Sequence, residues 1–298
     1  MDVTYQDYLS SSVIKKISNI ALRAKLVVEG FIIGLHKSPY HGFSVEFSEH
    51  RPYSFGDEIK YVDWKLLAKT DKLYIKQFEE ETNLKCHILF DKSASMSYGS
   101  DDISKFKYAQ TLCAALSYLM IKQQDAVGLT AFDTKITSSI PPKSKAGHLN
   151  ILLNALHTSK VKGETKISAI LHSLAESIKK RGLIVLISDL LDSPEDVIKG
   201  LRHFRYKGHE IIIFHIMDNK EISFDFNESI NFIDLENDDR IETDPRQISS
   251  IYKKAYADFC DTYKLECRKN NIDYVQINTS DSLDKSLVQY LIKRAKIV

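Results

Sequence analysis

Two aspartates and three hydroxyl residues carry the chemistry most worth following in this chain. Asp91-Lys92-Ser93-Ala94-Ser95-Met96 reads D-x-S-x-S directly after the apolar run Cys86-His87-Ile88-Leu89-Phe90. Far downstream, Gly163-Glu164-Thr165 opens a helical segment, and a second apolar run, Leu183 to Ile187, ends in Ser188-Asp189. Carboxylates and hydroxyls are hard oxygen ligands, suited to Mg²⁺ or Mn²⁺ and not to zinc. Two carboxylates at most neutralise a divalent ion, and hydroxyls add no formal charge. If one carboxylate acts through water, the ion keeps positive character toward its open position. A carboxylate from another molecule is then the natural last ligand. Asp91, Ser93, Ser95, Thr165 and Asp189 are the expected metal ligands, Mg²⁺ (or Mn²⁺) the expected ion, and an acidic protein the expected partner. Plainer readings stand beside these. Aspartate and serine cap helices, so the Asp91 turn, Thr165 and Asp189 (or its neighbour Asp192) can also serve as turn and cap residues.

Residues so far apart in sequence meet only if the fold brings them to one edge. From about Leu84 the chain alternates strand and helix signals. Cys86 to Phe90, Ala126 to Phe132, Leu183 to Ile187 and Glu210 to Met217 are short apolar runs suited to buried parallel strands. Lys135 to Ile140 reads as an edge strand stopped by Pro141-Pro142. Ile230 to Leu235 and Tyr274 to Ile277 read as further strands. Between them, Lys105 to Gln124 is an amphipathic helix with Tyr108, Leu112, Ala115 and Leu119 on one stripe. Gly147 to His157, Ile167 to Lys180, the segment between Pro194 and Gly208, Gln247 to Asn270 and Leu283 to Ala295 also read as helices. This alternation predicts an α/β, doubly wound, mostly parallel sheet covered on both faces. Ligands of such sheets sit beyond the carboxyl ends of the strands, where strand order reverses. The candidate ligands all fall at strand ends or helix starts.

The layout resembles the von Willebrand factor A domain and its metal-ion-dependent adhesion site (MIDAS), with the five residues in that family's order. The strand Val127-Gly128-Leu129-Thr130-Ala131-Phe132 is similar to that family's second strand. A segment ahead of it narrows the resemblance: Val28-Glu29-Gly30, Gly42-Phe43-Ser44-Val45-Glu46-Phe47, Glu49-His50-Arg51-Pro52-Tyr53 and Gly56-Asp57-Glu58-Ile59-Lys60-Tyr61-Val62-Asp63-Trp64-Lys65. These stretches resemble the signature of the bacterial domain-of-unknown-function family 58. Lys60 departs from it, standing where the family usually has arginine. The resemblance implies an N-terminal signature segment (1–83, helical and aromatic-rich) on a von Willebrand factor A-like, Rossmann-type domain (84–298). It also implies a partnership with a MoxR-type AAA+ ATPase in assembling or activating other proteins. Arg51, Asp57, Asp63 and Trp64 in the signature are open to two readings, an internal cluster or a contact surface.

Composition narrows the function classes. Lys plus Arg number 41 and Asp plus Glu 40, which leaves no global electrostatic footprint for nucleic acid or an anionic membrane. The cysteines Cys86, Cys113, Cys260 and Cys267 form no C-x-x-C pair, and sparse cysteine fits a reducing cytosol. The start Met1-Asp2-Val3-Thr4-Tyr5 lacks the features of a signal peptide, and no apolar run is long enough to span a bilayer, so a cytoplasmic protein without membrane insertion is expected. No G-x-x-x-x-G-K-[ST] loop is present, so nucleotide binding by the chain itself is not expected. Ser93 stands where a hydrolase would want a second aspartate. The expectation is a non-enzymatic, metal-dependent adaptor. A metal-assisted hydrolase and a scaffold with a vestigial site are the alternatives.

Overall fold

The computed structural model describes residues 19–25, 27, 28, 50–53, 67, 68, 72–76, 84–100, 103–163, 166–226, 230–233, 235, 240–283, 287, 288 and 290. Thr165, Asp57, Asp63, Trp64 and most of the expected 1–83 segment lie outside them.

Ten strands are found among the described residues: β1 (His50–Pro52), β2 (Tyr74–Lys76), β3 (Lys85–Asp91), β4 (Ala126–Phe132), β5 (Ile136–Lys143), β6 (Leu183–Ser188), β7 (Glu210–Met217), β8 (Ile230–Ile233), β9 (Arg240–Thr243) and β10 (Asp273–Asn278). The main sheet has the order β10-β7-β6-β3-β4-β5. All its neighbours are parallel except the edge pair β4 and β5. The helices are α1 (Lys105–Lys122), α2 (Ala146–Thr158), α3 (Ile167–Ser177), α4 (Pro194–Tyr206), α5 (Asn219–Ser223) and α6 (Pro245–Lys269).

Period-two alternation divides the interior into two cores. On β3, β6 and β7, the side chains of Cys86, Ile88, Phe90, Leu183, Val185, Ile187, Ile212, Phe214 and Ile216 face one layer. That layer holds α1, α2 and the helical residues Ile20, Ala24, Val27 and Val28. Leu89, Ile184, Leu186, Ile211 and Ile213 face the other, which holds α3, α4 and the end of α6 around Tyr263 and Cys267. Successive residues of a strand point to opposite faces, so strands apolar at every position bury both. The expected α/β architecture is the observed one.

Three details depart from the expectation. β5 runs through Pro141 and Pro142 to Lys143. It is an edge strand, where a missing N–H breaks no ladder on the outer side. The sheet shifts register there, and a Cβ on Gly128 would lie 2.7 Å from the Ile140 carbonyl oxygen and 2.8 Å from the Pro142 nitrogen, so only glycine lets the strands approach. α1 is buried almost all round, not along one stripe: Ala109, Cys113, Ala114 and Leu116 are as buried as Leu112. α2 and the helical residues Ile20, Ala24, Val27 and Val28 share its core and bury surface that an amphipathic pattern would leave wet. β8 is not a strand of the main sheet; it pairs with β9 in a separate antiparallel ribbon. Four cysteines are buried and free, and among the described residues no helix is long and apolar enough to cross a membrane.

Candidate metal centre

Strand order reverses between β3 and β6, since the chain adds β4 and β5 on one side and β6, β7 and β10 on the other. Asp91 is the last residue of β3, and Ser188 the last of β6. The Phe90 to Ile187 register puts the two strand ends side by side. Beyond Asp91 the chain turns through Lys92 and Ser93 into a 3-10 turn, Ala94–Ser97. The Asp91 carboxylate holds that turn: Oδ1 accepts from the Ser93 N–H at 2.9 Å, and Oδ2 accepts from the Ser188 hydroxyl at 2.6 Å. Ser93 and Ser95 meet through their hydroxyls at 3.0 Å. Asp91 and Ser93 are fully buried, and Ser95 at 8% is the most exposed of the three.

The segment leading to Thr165 is stitched to the same turn. The Lys162 N–H donates to the Lys92 carbonyl at 3.0 Å, and the Ala94 N–H donates to the Gly163 carbonyl at 2.9 Å. Gly163 turns the chain with φ of 81°, a left-handed conformation costly for other residues. On the far side the Ser168 N–H donates to Asp192 Oδ2 at 3.4 Å. Asp192 Oδ1 also accepts from the Ser193 N–H at 2.7 Å, so Asp192 fastens turns.

Asp189 is 2% exposed and follows β6 directly. Its Oδ2 accepts from the Lys105 ammonium at 2.8 Å, while its Oδ1 is buried without a hydrogen-bond partner. Lys105, 1% exposed, also reaches Glu221 Oε1 at 2.6 Å. Glu221 sits in α5, where its Oε2 accepts from the Asp218 N–H at 2.8 Å in a capping box. Burial favours loss of the Lys105 proton, but Asp189 and Glu221 outweigh it and hold the ammonium above its ordinary pKa. Burial first, then the charge of Asp189, pushes the Asp91 carboxyl up to about 7, against hydrogen bonds from Ser188 and Ser93. Under the sheet end lies His215, lowered to about 4 by burial, with Nδ1 2.5 Å from the Tyr274 hydroxyl.

The structure thus brings Asp91, Ser93, Ser95 and Asp189 to one switch point, and Thr165 lies outside the described residues between two anchored flanks. The donor set fits a hard divalent ion. It holds two carboxylates and two hydroxyls, and the orphaned Asp189 Oδ1 is a buried acceptor that a cation would satisfy. Sequence reading missed Ser188, Lys105 and Glu221. Ser188 stands beside a candidate, and the parallel register was its only signal. Lys105 follows the α1 cap Ser104, a place where a basic residue ordinarily faces water, and nothing in the sequence marks it as buried.

The family model for "Protein of unknown function DUF58" matches residues 49–260 of this chain, more than two thirds of its length. The chain belongs to this family. Uncharacterised proteins of similar sequence include Rv1480 of Mycobacterium tuberculosis and Mb1516 of Mycobacterium bovis. Each is 24% identical over 208 residues, 68% of this chain and 64% of the relative. This family-58 chain therefore spans less than two thirds of those relatives. Among solved structures, an aerotolerance-related membrane protein from Bacteroides fragilis superposes with a TM-score of 0.51 at 18% identity, over 70% of this chain and 99% of that one. BatB from Bacteroides thetaiotaomicron gives 0.50 at 16% identity, over 72% and 99%. These likenesses concern the fold, a von Willebrand factor A-like α/β sheet.

Proposed function

We propose that this family-58 protein is a non-enzymatic adaptor that binds an acidic partner through a divalent cation of the Mg²⁺ or Mn²⁺ type. Asp91, Ser93, Ser95, Thr165 and Asp189 would hold the ion in the manner of a metal-ion-dependent adhesion site. The observation that carries the reading is the convergence of Asp91 and Asp189 at the strand-order reversal, with Asp189 Oδ1 buried and unpartnered. A bound ion would act there as an electrophile toward a partner's carboxylate. The protein's own residues supply the rest. Ser188 and the Ser93 N–H orient Asp91, and Ser95 marks the least buried side, from which a partner's carboxylate approaches. Partnership with a MoxR-type AAA+ ATPase in the cytoplasm is part of the proposal and comes from the family resemblance. Binding without turnover is favoured by the way Asp91 is held: its two oxygens are taken up by the Ser93 N–H and the Ser188 hydroxyl, which fix the carboxylate in place.

The test is capture of partners from a lysate by wild-type protein and Asp91→Ala, with and without chelator. Partners held by wild type alone, and released by chelator, are expected. Equal capture by both proteins, unaffected by chelator, overturns the reading.

A further inference from the structure

Lys105 is a buried lysine placed on the one ligand carboxylate that the serines leave alone. Asp91 has both oxygens occupied by Ser93 and Ser188, whereas Asp189 offers one oxygen to Lys105 and keeps the other bare. The ammonium is shared, 2.8 Å from Asp189 Oδ2 and 2.6 Å from Glu221 Oε1. Glu221 is itself anchored through its second oxygen to the Asp218 N–H. Asp218 in turn accepts from the Ser100 N–H at 3.0 Å and the Thr279 hydroxyl at 3.3 Å, so the Glu221 side of the bridge is fixed to the scaffold. Asp91, Asp189 and Glu221 against Lys105 leave two formal negative charges, the amount one divalent ion neutralises.

We infer that Lys105 is a tethered cation that competes with the metal for Asp189 Oδ2 and so sets the affinity of the site. The inference rests on the metal-binding reading. Without metal, Lys105 shields Asp189 in an interior where a lone carboxylate is costly. When a cation is held at the site, Lys105 gives up Asp189 Oδ2 and keeps Glu221 as its counter-charge. Glu221 is thus the resting place of the displaced ammonium and is not a ligand.

The experiment is calorimetric titration of Mn²⁺, then Mg²⁺, into wild type, Lys105→Met, Glu221→Gln and the double variant. Thermal melts report folding of each. Lys105→Met is expected to bind more tightly and Glu221→Gln more weakly, but long-range charge alone would give the same signs. The double variant decides, since it leaves the net charge unchanged. If Lys105 competes, freeing Asp189 Oδ2 tightens binding by about tenfold or more. Affinity equal to wild type overturns the inference and leaves the metal site standing. No binding in any folded variant overturns both readings. Nitrogen NMR of the Lys105 ammonium in wild type provides a second test that needs no variant. Its signal is expected to shift as Mn²⁺-free protein takes up Mg²⁺, and a signal unmoved at saturation contradicts competition.

Discussion

The residue scale is governed by how Asp91 is buried. Its carboxyl is raised from an ordinary 3.8 to about 7, by burial and then by the charge of Asp189. The folded value lies above the unfolded one, so the folded protein binds an extra proton between them. This contribution to stability is complete below about pH 4 and is lost as pH rises through about 7. Metal-free protein should accordingly melt at a lower temperature at pH 8 than at pH 5, and Asp91→Asn should flatten that slope. Thermal melts in chelator across this range check it; an equal slope in Asp91→Asn contradicts it. Ser188 supplies a second prediction. Removing its hydroxyl leaves Asp91 Oδ2 without its 2.6 Å donor. Ser188→Ala should lower stability by about 1.5–3 kcal/mol and weaken Mn²⁺ affinity by about tenfold. Denaturant unfolding and calorimetry measure the two effects, and unchanged values for both exclude the positioning role. The D-x-S-x-S turn and Asp189 were legible because both follow apolar runs that can only be strands. Lys105 and Glu221 were not, because a lysine and a glutamate at helix starts look like solvated charges until the fold buries them.

At the scale of elements, the site depends on where strands stop and on what crosses the switch point. β3 and β6 end level, with Asp91 beside Ser188, so Asp91 and the next residue after β6, Asp189, are delivered to one place. β4 pairs with β3 on the other side, and its junction with the edge strand β5 is tight at Gly128. Gly128→Ala places a methyl against backbone on the neighbouring strand, at 2.7 Å from the Ile140 carbonyl oxygen, and the sheet must shift to admit it. A loss of about 1–3 kcal/mol is expected, read by chemical denaturation; an unaltered midpoint contradicts the close approach. Strand positions were legible from β-branched, doubly apolar runs. The end of β5 was misplaced because proline interrupts an interior strand but not the outer side of an edge. The sheet to which β8 belongs is not legible, because a four-residue apolar strand carries no record of its partner, and here the partner is β9. The α1 stripe was real but too narrow, since burial on its second face is conferred by elements distant in sequence.

Across the whole molecule, two cores clamp one sheet and leave its carboxyl edge to chemistry. The helices of both layers fix β3, β6 and β7 through side chains that alternate between faces. The stretch β8–β9 and the first half of α6 join this frame through stacked aromatics. Phe224 lies 4.1 Å from Tyr252, and Tyr252 lies 5.8 Å from Tyr256. Those tyrosines stack along one face of α6. Fold class was therefore legible from alternation alone, and the meeting of Asp91, Ser93, Ser95 and Asp189 at the carboxyl edge from their places just after strands. The most direct check is titration of Mn²⁺ into the pure, metal-free protein by calorimetry. The account predicts saturable binding at one site, competed by Mg²⁺ and absent from folded Asp91→Ala. No saturable heat with wild-type protein, or equal binding by Asp91→Ala, would contradict it.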